Sequence, residues 1–190
     1  MRPAPFFVSG PVPVPVPVHC TGAGRSSGSG TVRLLSLPEV DVEKIGVIGH
    51  SAGANILPYC LYYDTRVKAA VANCGIFEVN SYYAYNRHGT IPASMALPGS
   101  VKYGVDTHDY IAAVAPRALF ISDGAHQWGD GRPDPSDEKF AEDVAFFKES
   151  YLQNGGSDIE TVLFEENGGG HCFPPLLKEQ AYQWLDTHLK

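Results

Sequence analysis

The residue best suited to covalent chemistry is Ser51, which lies in Gly49-His50-Ser51-Ala52-Gly53 directly after the apolar run 45–48. The run predicts a buried strand and the alanine-rich residues that follow predict a helix, so the pentapeptide forms a sharp turn between them. Glycine at its two ends removes side chains that would collide with the backbone of so tight a turn. The turn would raise the Ser51 hydroxyl above the C-terminal edge of a parallel sheet and aim the Ala52 N–H at a developing oxyanion. Ser51 is therefore the candidate nucleophile and Ala52 the candidate oxyanion donor.

A serine nucleophile needs a base, which is usually a histidine oriented by a buried carboxylate. Of the seven histidines, His171 is the best placed, because it follows three glycines on the loop after the last predicted strand. A fold with its active site above the C-terminal ends of the strands would bring this loop to Ser51. His50 is held in the turn itself and is a candidate for substrate binding. The alternative interpretation of His171 is a solvated loop histidine.

The elements that must position these residues alternate along the chain. Apolar runs predict three further strands, at 68–75, 117–122 and 160–164. Helical spacing of apolar residues, with caps and prolines at the ends, predicts helices at 52–63, 136–154 and from Pro174-Pro175 onward. Because strands and helices alternate, the sheet should be parallel with right-handed crossovers. The predicted class is α/β, with a mostly parallel sheet of about four strands flanked by helices.

Residues 1–30 differ in composition from the rest of the chain. Proline and valine alternate from Pro11 to Val18, which predicts polyproline II, because every second residue lacks the N–H that a sheet needs. Glycine and serine dominate 21–30 and predict a flexible tract. We therefore expect 1–30 to be a disordered Pro/Gly-rich arm and 31–190 to be the folded domain, opening on a short helix that Pro38 ends.

Residues 76–110 are rich in Tyr, Asn, Gly and Pro without a sustained period, and predict an irregular insertion over the sheet edge. A helix is expected near its end, from Asp106 to Ala113. Such an insertion could line a substrate pocket, and Phe77 and Tyr82 are candidates for that role. The alternative is that these aromatic side chains only pack.

The composition favours a single globular domain that acts on a small molecule. The 190 residues are 44% hydrophobic and 18% charged, with a net charge of −7 and a pI near 5.4. This balance disfavours nucleic acid or an anionic membrane as a partner. No apolar run is long enough to cross a bilayer and the first residues lack a secretory signal, so a cytoplasmic location is expected. The four cysteines show no paired spacing, so no disulfide, metal or other cofactor is predicted.

The chain resembles the α/β-hydrolase superfamily, and more narrowly its dienelactone-hydrolase and acetyl-xylan-esterase-like branch. The segments that carry the resemblance, in the order of that branch, are 34–41, the Gly-His-Ser-Ala-Gly turn, 66–71, 115–119 and 170–173. The resemblance covers about residues 31–190 and implies ester hydrolysis through an acyl-enzyme intermediate. It assigns Ser51 as nucleophile and His171 as base of a catalytic triad.

The resemblance also implies a carboxylate about three residues after a glycine equivalent to Gly124. Gln127 occupies that position here, with His126 beside it, and glutamine cannot stabilise an imidazolium as a carboxylate does. Asp130, the nearest later carboxylate on the same loop, is the first choice for the acid. Asp123, close to the strand end, and Glu78, after the second strand, are the alternatives, and the acid could also be absent.

Members of the family have several strands before the serine turn, and one of their loops supplies a second oxyanion N–H. Only the arm precedes Thr31, so the resemblance implies an N-terminally truncated member. The strand before Ser51 would then be an exposed edge, through which the chain could form homo-oligomers. Losing the second donor would weaken catalysis. Two alternatives therefore stay open: a weak or inactive remnant that serves as a binding scaffold, and a serine peptidase of the same fold.

Overall fold

The computed structural model of the chain describes residues 4–8, 18–20, 37–38, 40–79, 103–125, 136–157, 159–165 and 169–190. Its strands are β1 (Ala4–Val8), β2 (Val18–Cys20), β3 (Ile45–His50), β4 (Val67–Asn73), β5 (Ala118–Gly124) and β6 (Glu160–Phe164). Its helices are α1 (Ala52–Tyr63), α2 (Thr107–Val114), α3 (Ser136–Gln153) and α4 (Pro175–His188). The predicted helix before Pro38 lies outside the described residues.

These strands form one sheet in the order β2-β1-β3-β4-β5-β6. The last four strands in that order are parallel to one another, so the predicted parallel sheet of four strands with flanking helices is confirmed. Parallel strands carry their C-terminal ends at one edge of the sheet. The loops that follow β3, β4, β5 and β6 therefore meet at that edge, and Ser51 and His171 belong to two of them.

Two segments of the predicted N-terminal arm form strands, which corrects the prediction of disorder for those residues. The first, β1, pairs antiparallel with β3 from Phe6 opposite Val47 to Val8 opposite Ile45, and β2 pairs antiparallel with β1. The strand before Ser51 is therefore an internal strand, and the expectation of an exposed edge at β3 is wrong. Association through that edge would have to displace β1. The proline-valine repeat 11–17 lies outside the described residues.

Helices pack on both faces of the sheet, because successive side chains of each strand point to opposite faces. On one face, α1, α2 and α3 pack over Ile45, Val47 and Ile121. On the other face, α4 packs over Ile48, Val71 and Phe120. The apolar faces predicted for the last two helices are both buried, through Phe140, Val144, Phe147 and Tyr151 in α3 and Leu177, Ala181, Leu185 and Leu189 at α4.

The predicted helix at the end of the 76–110 segment is confirmed as α2. Asp106 forms a capping box with Asp109 at its start, and the Asp106 side chain also accepts the Val79 N–H at 2.8 Å. This carboxylate fixes the loop after β4 to the N-terminus of α2. No helix in the described part of the chain is both long enough and apolar enough to cross a membrane.

Candidate active site

The turn between β3 and α1 holds Ser51 in a strained backbone conformation. Ser51 has φ 57° and ψ −124°, a combination that L-residues rarely adopt. The predicted need for glycine before it is visible in the packing, since a Cβ on Gly49 would lie 2.5 Å from the Gly53 carbonyl oxygen. A Cβ on Gly75, which follows β4, would likewise lie 2.5 Å from the Ser51 carbonyl oxygen. Backbone on two sides therefore fixes the position of Ser51.

The structure brings the two residues that the sequence singled out into direct contact. The Nε2 of His171 lies 2.8 Å from the Ser51 Oγ across 120 residues of sequence. This separation is within hydrogen-bond range, as proton transfer from a hydroxyl to an imidazole requires. His171 keeps an exposed face, so the pair is accessible from solvent.

The loop that carries His171 crosses closely over the end of β5. The Gly170 N–H donates to the Ala125 carbonyl at 2.7 Å, and both Gly169 and Gly170 have positive φ, at 71° and 84°. A Cβ on Gly169 would lie 1.9 Å from the Ala125 carbonyl oxygen. The predicted glycine-rich loop is thus a requirement of backbone conformation and of close approach, and it directs His171 back over the sheet.

The same loop is fastened to the end of β4. The Asn73 Nδ2 donates to the Cys172 carbonyl at 2.7 Å, and the Cys74 thiol lies 3.3 Å from the same oxygen. Asn73 is fully buried, so its side chain is held within the fold. The residue after His171 is therefore attached to the strand that neighbours β3, which sets the distance between base and hydroxyl.

His50, the candidate for substrate binding, lies beside the base. Its Nδ1 is 2.7 Å from the Asn73 Nδ2, and its ring centroid is 5.1 Å from that of His171. The ring of Phe173 stacks with that of His50 at 6.4 Å between centroids. His50 is thus half-buried within the site, in contact with the loop that holds the base.

The electrostatics of the two histidines favour their neutral forms. Burial lowers the pKa of His171 below its ordinary value. Burial also lowers the pKa of His50, and the neighbouring His171 and Lys178 add to this effect. A neutral His171 can accept a proton from Ser51 near neutral pH.

Ala52, the candidate oxyanion donor, is the first residue of α1 and is exposed. The N–H groups of the first turn of a helix have no partner within the helix and carry its positive dipole end. This N–H belongs to the residue that directly follows Ser51. The arrangement suits a group that gains negative charge.

The structure places two candidates for the triad acid, Asp123 and Glu78, in different surroundings. Asp123 Oδ1 accepts the Gly124 N–H at 2.9 Å. Burial, followed by the Asp123 charge, raises the pKa of the Cys74 thiol, so this carboxylate lies near Cys74. Asp130 and Gln127 lie outside the described residues.

Glu78 contacts a different histidine. Its Oε1 accepts the His108 N–H at 2.8 Å, and its Oε2 lies 3.0 Å from the His108 Nδ1. Glu78 is buried, and the pKa of its carboxyl is raised to about 7 by that burial. The structure places this carboxylate on His108 and α2, not on His171.

Phe77, a candidate for substrate binding, lines a small recess close to the serine. The residues that line the recess are Asn55, Tyr59, Gly75, Ile76, Phe77, Val79 and Thr107. Two of its residues adjoin the serine turn, because the Asn55 N–H donates to the Ser51 carbonyl at 3.1 Å and Gly75 approaches the same oxygen. Tyr82 lies outside the described residues.

The sequence analysis missed Asn73 and Ser122, which belong to the same buried network. The Ser122 hydroxyl donates to the Asn73 Oδ1 at 2.8 Å, and both residues are buried. The available signal was position, since each is a polar residue at the C-terminal end of an apolar parallel strand, where sites in this architecture form. Within the described ranges, no group of three or more His, Cys, Asp or Glu side chains is arranged to hold a metal ion.

Comparison with known proteins gives a likeness in structure and none in sequence. No protein-family model and no curated protein sequence matches the chain. A glucuronoyl esterase from Solibacter usitatus superposes with a TM-score of 0.61 at 14% identity, over 90% of this chain and 53% of that one. A methylesterase gives 0.58 at 20% identity, over 84% of this chain and 34% of that one. The acylaminoacyl peptidase of Pyrococcus horikoshii gives 0.57 at 17% identity, over 84% of this chain and 26% of that one.

These superpositions show an α/β-hydrolase fold in partial form. The chain spans about half the length of the first of these structures and less of the other two. The predicted fold is thereby confirmed.

Proposed function

We propose that the chain is a serine hydrolase that cleaves small carboxylic esters through an acyl-enzyme intermediate. The observation that carries this proposal is the 2.8 Å contact between Ser51 Oγ and His171 Nε2 at a strained turn that opens a helix. A hydroxyl, an imidazole and an N–H at the start of a helix are the components of nucleophilic acyl transfer.

The reaction proceeds in two halves. His171 Nε2 takes the proton of Ser51 while Oγ attacks the ester carbonyl carbon, and the Ala52 N–H stabilises the resulting oxyanion. The carbonyl re-forms as the C–O bond to the alcohol breaks, and His171 returns the proton to the leaving oxygen. Water, deprotonated by His171, then attacks the acyl-enzyme and releases the carboxylic acid and free Ser51.

For the third member of the triad we propose Asp130, with Asp123 as the alternative. A carboxylate near His171 would stabilise the imidazolium formed in each half-reaction. Asp130 belongs to the loop after β5, which begins beside the backbone that the His171 loop crosses. Asp123 already accepts a backbone N–H and lies near Cys74, which makes it the second choice.

For the substrate we propose an ester with a small acyl group and no strong charge. Phe77 lines a recess that adjoins the serine turn, and we propose that its ring contacts the acyl group. The His50 ring lies near both the base and Phe173, and we propose that it contacts the alcohol part of the substrate. The superposing esterases support esters as the class of substrate.

Fluorophosphonate labelling tests the proposal. We expect the probe to modify Ser51 in the folded protein, and expect Ser51→Ala to abolish labelling and to lower nitrophenyl acetate hydrolysis about 10³-fold or more. Ser150→Ala, in α3, is the matched control and should react as the natural chain does. Folded protein that is not labelled, or that hydrolyses the ester no faster than Ser51→Ala, would contradict the proposal.

The second candidate is an inactive remnant that binds a ligand on the hydrolase scaffold. It is favoured by the position of Glu78, a candidate for the acid, which contacts His108 and not His171. A remnant would show no difference between the natural chain and Ser51→Ala in either assay. A peptidase of the same fold is separated by matched substrates, because it would cleave a nitroanilide as well as the nitrophenyl ester.

A further inference from the structure

We propose that Asn73 is a positioning residue that holds His50 as a neutral imidazole with its proton on Nε2, so that His171 alone takes up the proton of Ser51. The inference deepens the proposed function and rests on it for the role of His171.

The orientation of the Asn73 amide is fixed by its neighbours. The Cys172 carbonyl can only accept a hydrogen bond, and it lies 2.7 Å from the atom assigned as Nδ2. The reverse orientation would place two acceptor oxygens in contact inside the protein. The Ser122 hydroxyl provides the hydrogen-bond partner of the amide oxygen, because it donates to Oδ1 at 2.8 Å. Since Asn73 is 0% exposed, water cannot replace these partners.

The amide orientation sets the tautomer of His50. The second hydrogen of Asn73 Nδ2 points at the His50 Nδ1, 2.7 Å away, so Nδ1 must be an acceptor and carry a lone pair. The proton of a neutral His50 then sits on Nε2. Protonating Nδ1 would set two N–H donors against each other at a buried contact, which costs the hydrogen bond and leaves a donor unsatisfied.

The groups that face His50 also oppose a positive charge on it. His171 approaches from the loop after β6, with ring centroids 5.1 Å apart, and Lys178 acts from α4. Burial lowers the pKa of His50 further, and outweighs the opposite effect of the Asn73 backbone. Burial, His171, Lys178 and the amide thus all favour neutral His50.

Neutral His50 matters for the reaction because the two rings are adjacent. Acyl transfer makes His171 an imidazolium, and a second positive charge at this distance would oppose its formation. A protonated His50 would therefore lower the basicity of His171 and slow the attack of Ser51. Asn73 prevents this through its contact with the His50 ring.

The first test reads the tautomer directly and does not need activity. Nitrogen-15 NMR of the histidine rings in the natural chain should show His50 protonated on Nε2 and unprotonated on Nδ1, and this state should persist to a lower pH than in a histidine-containing model peptide. A proton on Nδ1, or titration of His50 at the same pH as the model peptide, would overturn the inference. This result stands even if fluorophosphonate labelling fails and the proposed function is wrong.

The second test alters the amide. Asn73→Asp replaces the donor by an acceptor, so His50 should move its proton to Nδ1 and hold it to higher pH, with nitrophenyl acetate hydrolysis lowered at least tenfold at neutral pH. Ser122→Ala removes only the Oδ1 partner and should keep the Nε2 tautomer, because Cys172 still orients the amide. An Asn73→Asp protein that is folded, shows the natural tautomer and has an unchanged pH profile would also overturn the inference. If that variant does not fold, the measurement on the natural chain and on Ser122→Ala decides.

Discussion

Gly124 lies directly beneath Gly170, so that a Cβ added to Gly124 would come within 2.0 Å of the Gly170 carbonyl oxygen. No rotation of a side chain relieves this contact, because both partners are backbone. Gly124→Ala must therefore move the loop that presents His171. We expect fluorophosphonate labelling to slow at least tenfold and the unfolding free energy to fall by about 1 to 3 kcal/mol.

The control is Gly104→Ala, which combines a positive φ of 69° with open space around the new methyl group. It should cost about 1 kcal/mol of stability from backbone strain and leave labelling unchanged. Equal labelling rates in the Gly124→Ala protein and the natural chain would show that the loop tolerates the displacement.

The pH dependence of ester hydrolysis should follow the neutral form of His171. Burial lowers the pKa of this imidazole, so it remains a base to more acidic pH than a free histidine. We expect kcat/KM for nitrophenyl acetate to fall as the pH drops, with a midpoint below about 6.5. A midpoint above that value would mean that a neighbouring carboxylate outweighs burial.

Stability should decrease from mildly acidic to neutral pH through Glu78. Burial raises the pKa of this carboxyl to about 7, so the folded state holds its proton where the unfolded chain has lost it. The stabilisation is complete below the unfolded value and is lost as the pH rises through about 7. Glu78→Gln cannot lose a proton, and it should therefore gain stability relative to the natural chain between pH 5 and pH 8 in thermal unfolding. A constant difference across this range would contradict the shift.

Asp106 should contribute more to stability than an ordinary helix cap. Its carboxylate accepts the N–H groups of Val79 and Thr107, and it is only 4% exposed. Asp106→Ala leaves these donors without a partner, and we expect a loss of about 2 to 3 kcal/mol in urea unfolding. Asp106→Asn retains an acceptor oxygen and should lose less. Equal losses in the two variants would point to the charge, not the hydrogen bonds.

Removal of residues 1–20 should expose β3. The deletion takes away β1, which covers the edge of β3 from Ile45 to Val47. An unpaired edge of apolar strand invites pairing with another chain. We expect the shortened protein to associate with rising concentration in sedimentation velocity, beyond any association of the full chain. Unchanged sedimentation would show that β1 does not protect this edge.

The site residues that the sequence identified are those with local signals. Ser51 sits in a pentapeptide in which Gly49 avoids a collision with the nearby Gly53 carbonyl, and His171 follows glycines that the loop needs for its positive φ values. The helices α3 and α4 were predicted because their apolar spacing and end signals also act within a few residues. Local physics was sufficient for these elements.

Other features depend on contacts between distant segments. The role of Asn73 depends on its contacts with Cys172 and His50, which lie 99 and 23 residues away in sequence. The sequence does not predict β1, because the proline-valine repeat that follows it indicates an irregular segment, although Phe6-Phe7-Val8 is a short apolar run. Its proline, Pro5, pairs with β2, while the residues from Phe6 onward pair with β3, so the missing N–H does not interrupt the contact with β3. Single-sequence patterns carry little information about such pairings.

Ser51 follows β3 and His171 follows β6, and between those two strands lie β4 and β5. A nascent or refolding chain that has assembled only the earlier strands holds a hydroxyl without a proton acceptor. The recovery of Ser51 reactivity toward a fluorophosphonate would then report when the last strand and the His171 loop are in place. In a refolding time course its recovery should lag behind the return of the helical circular-dichroism signal.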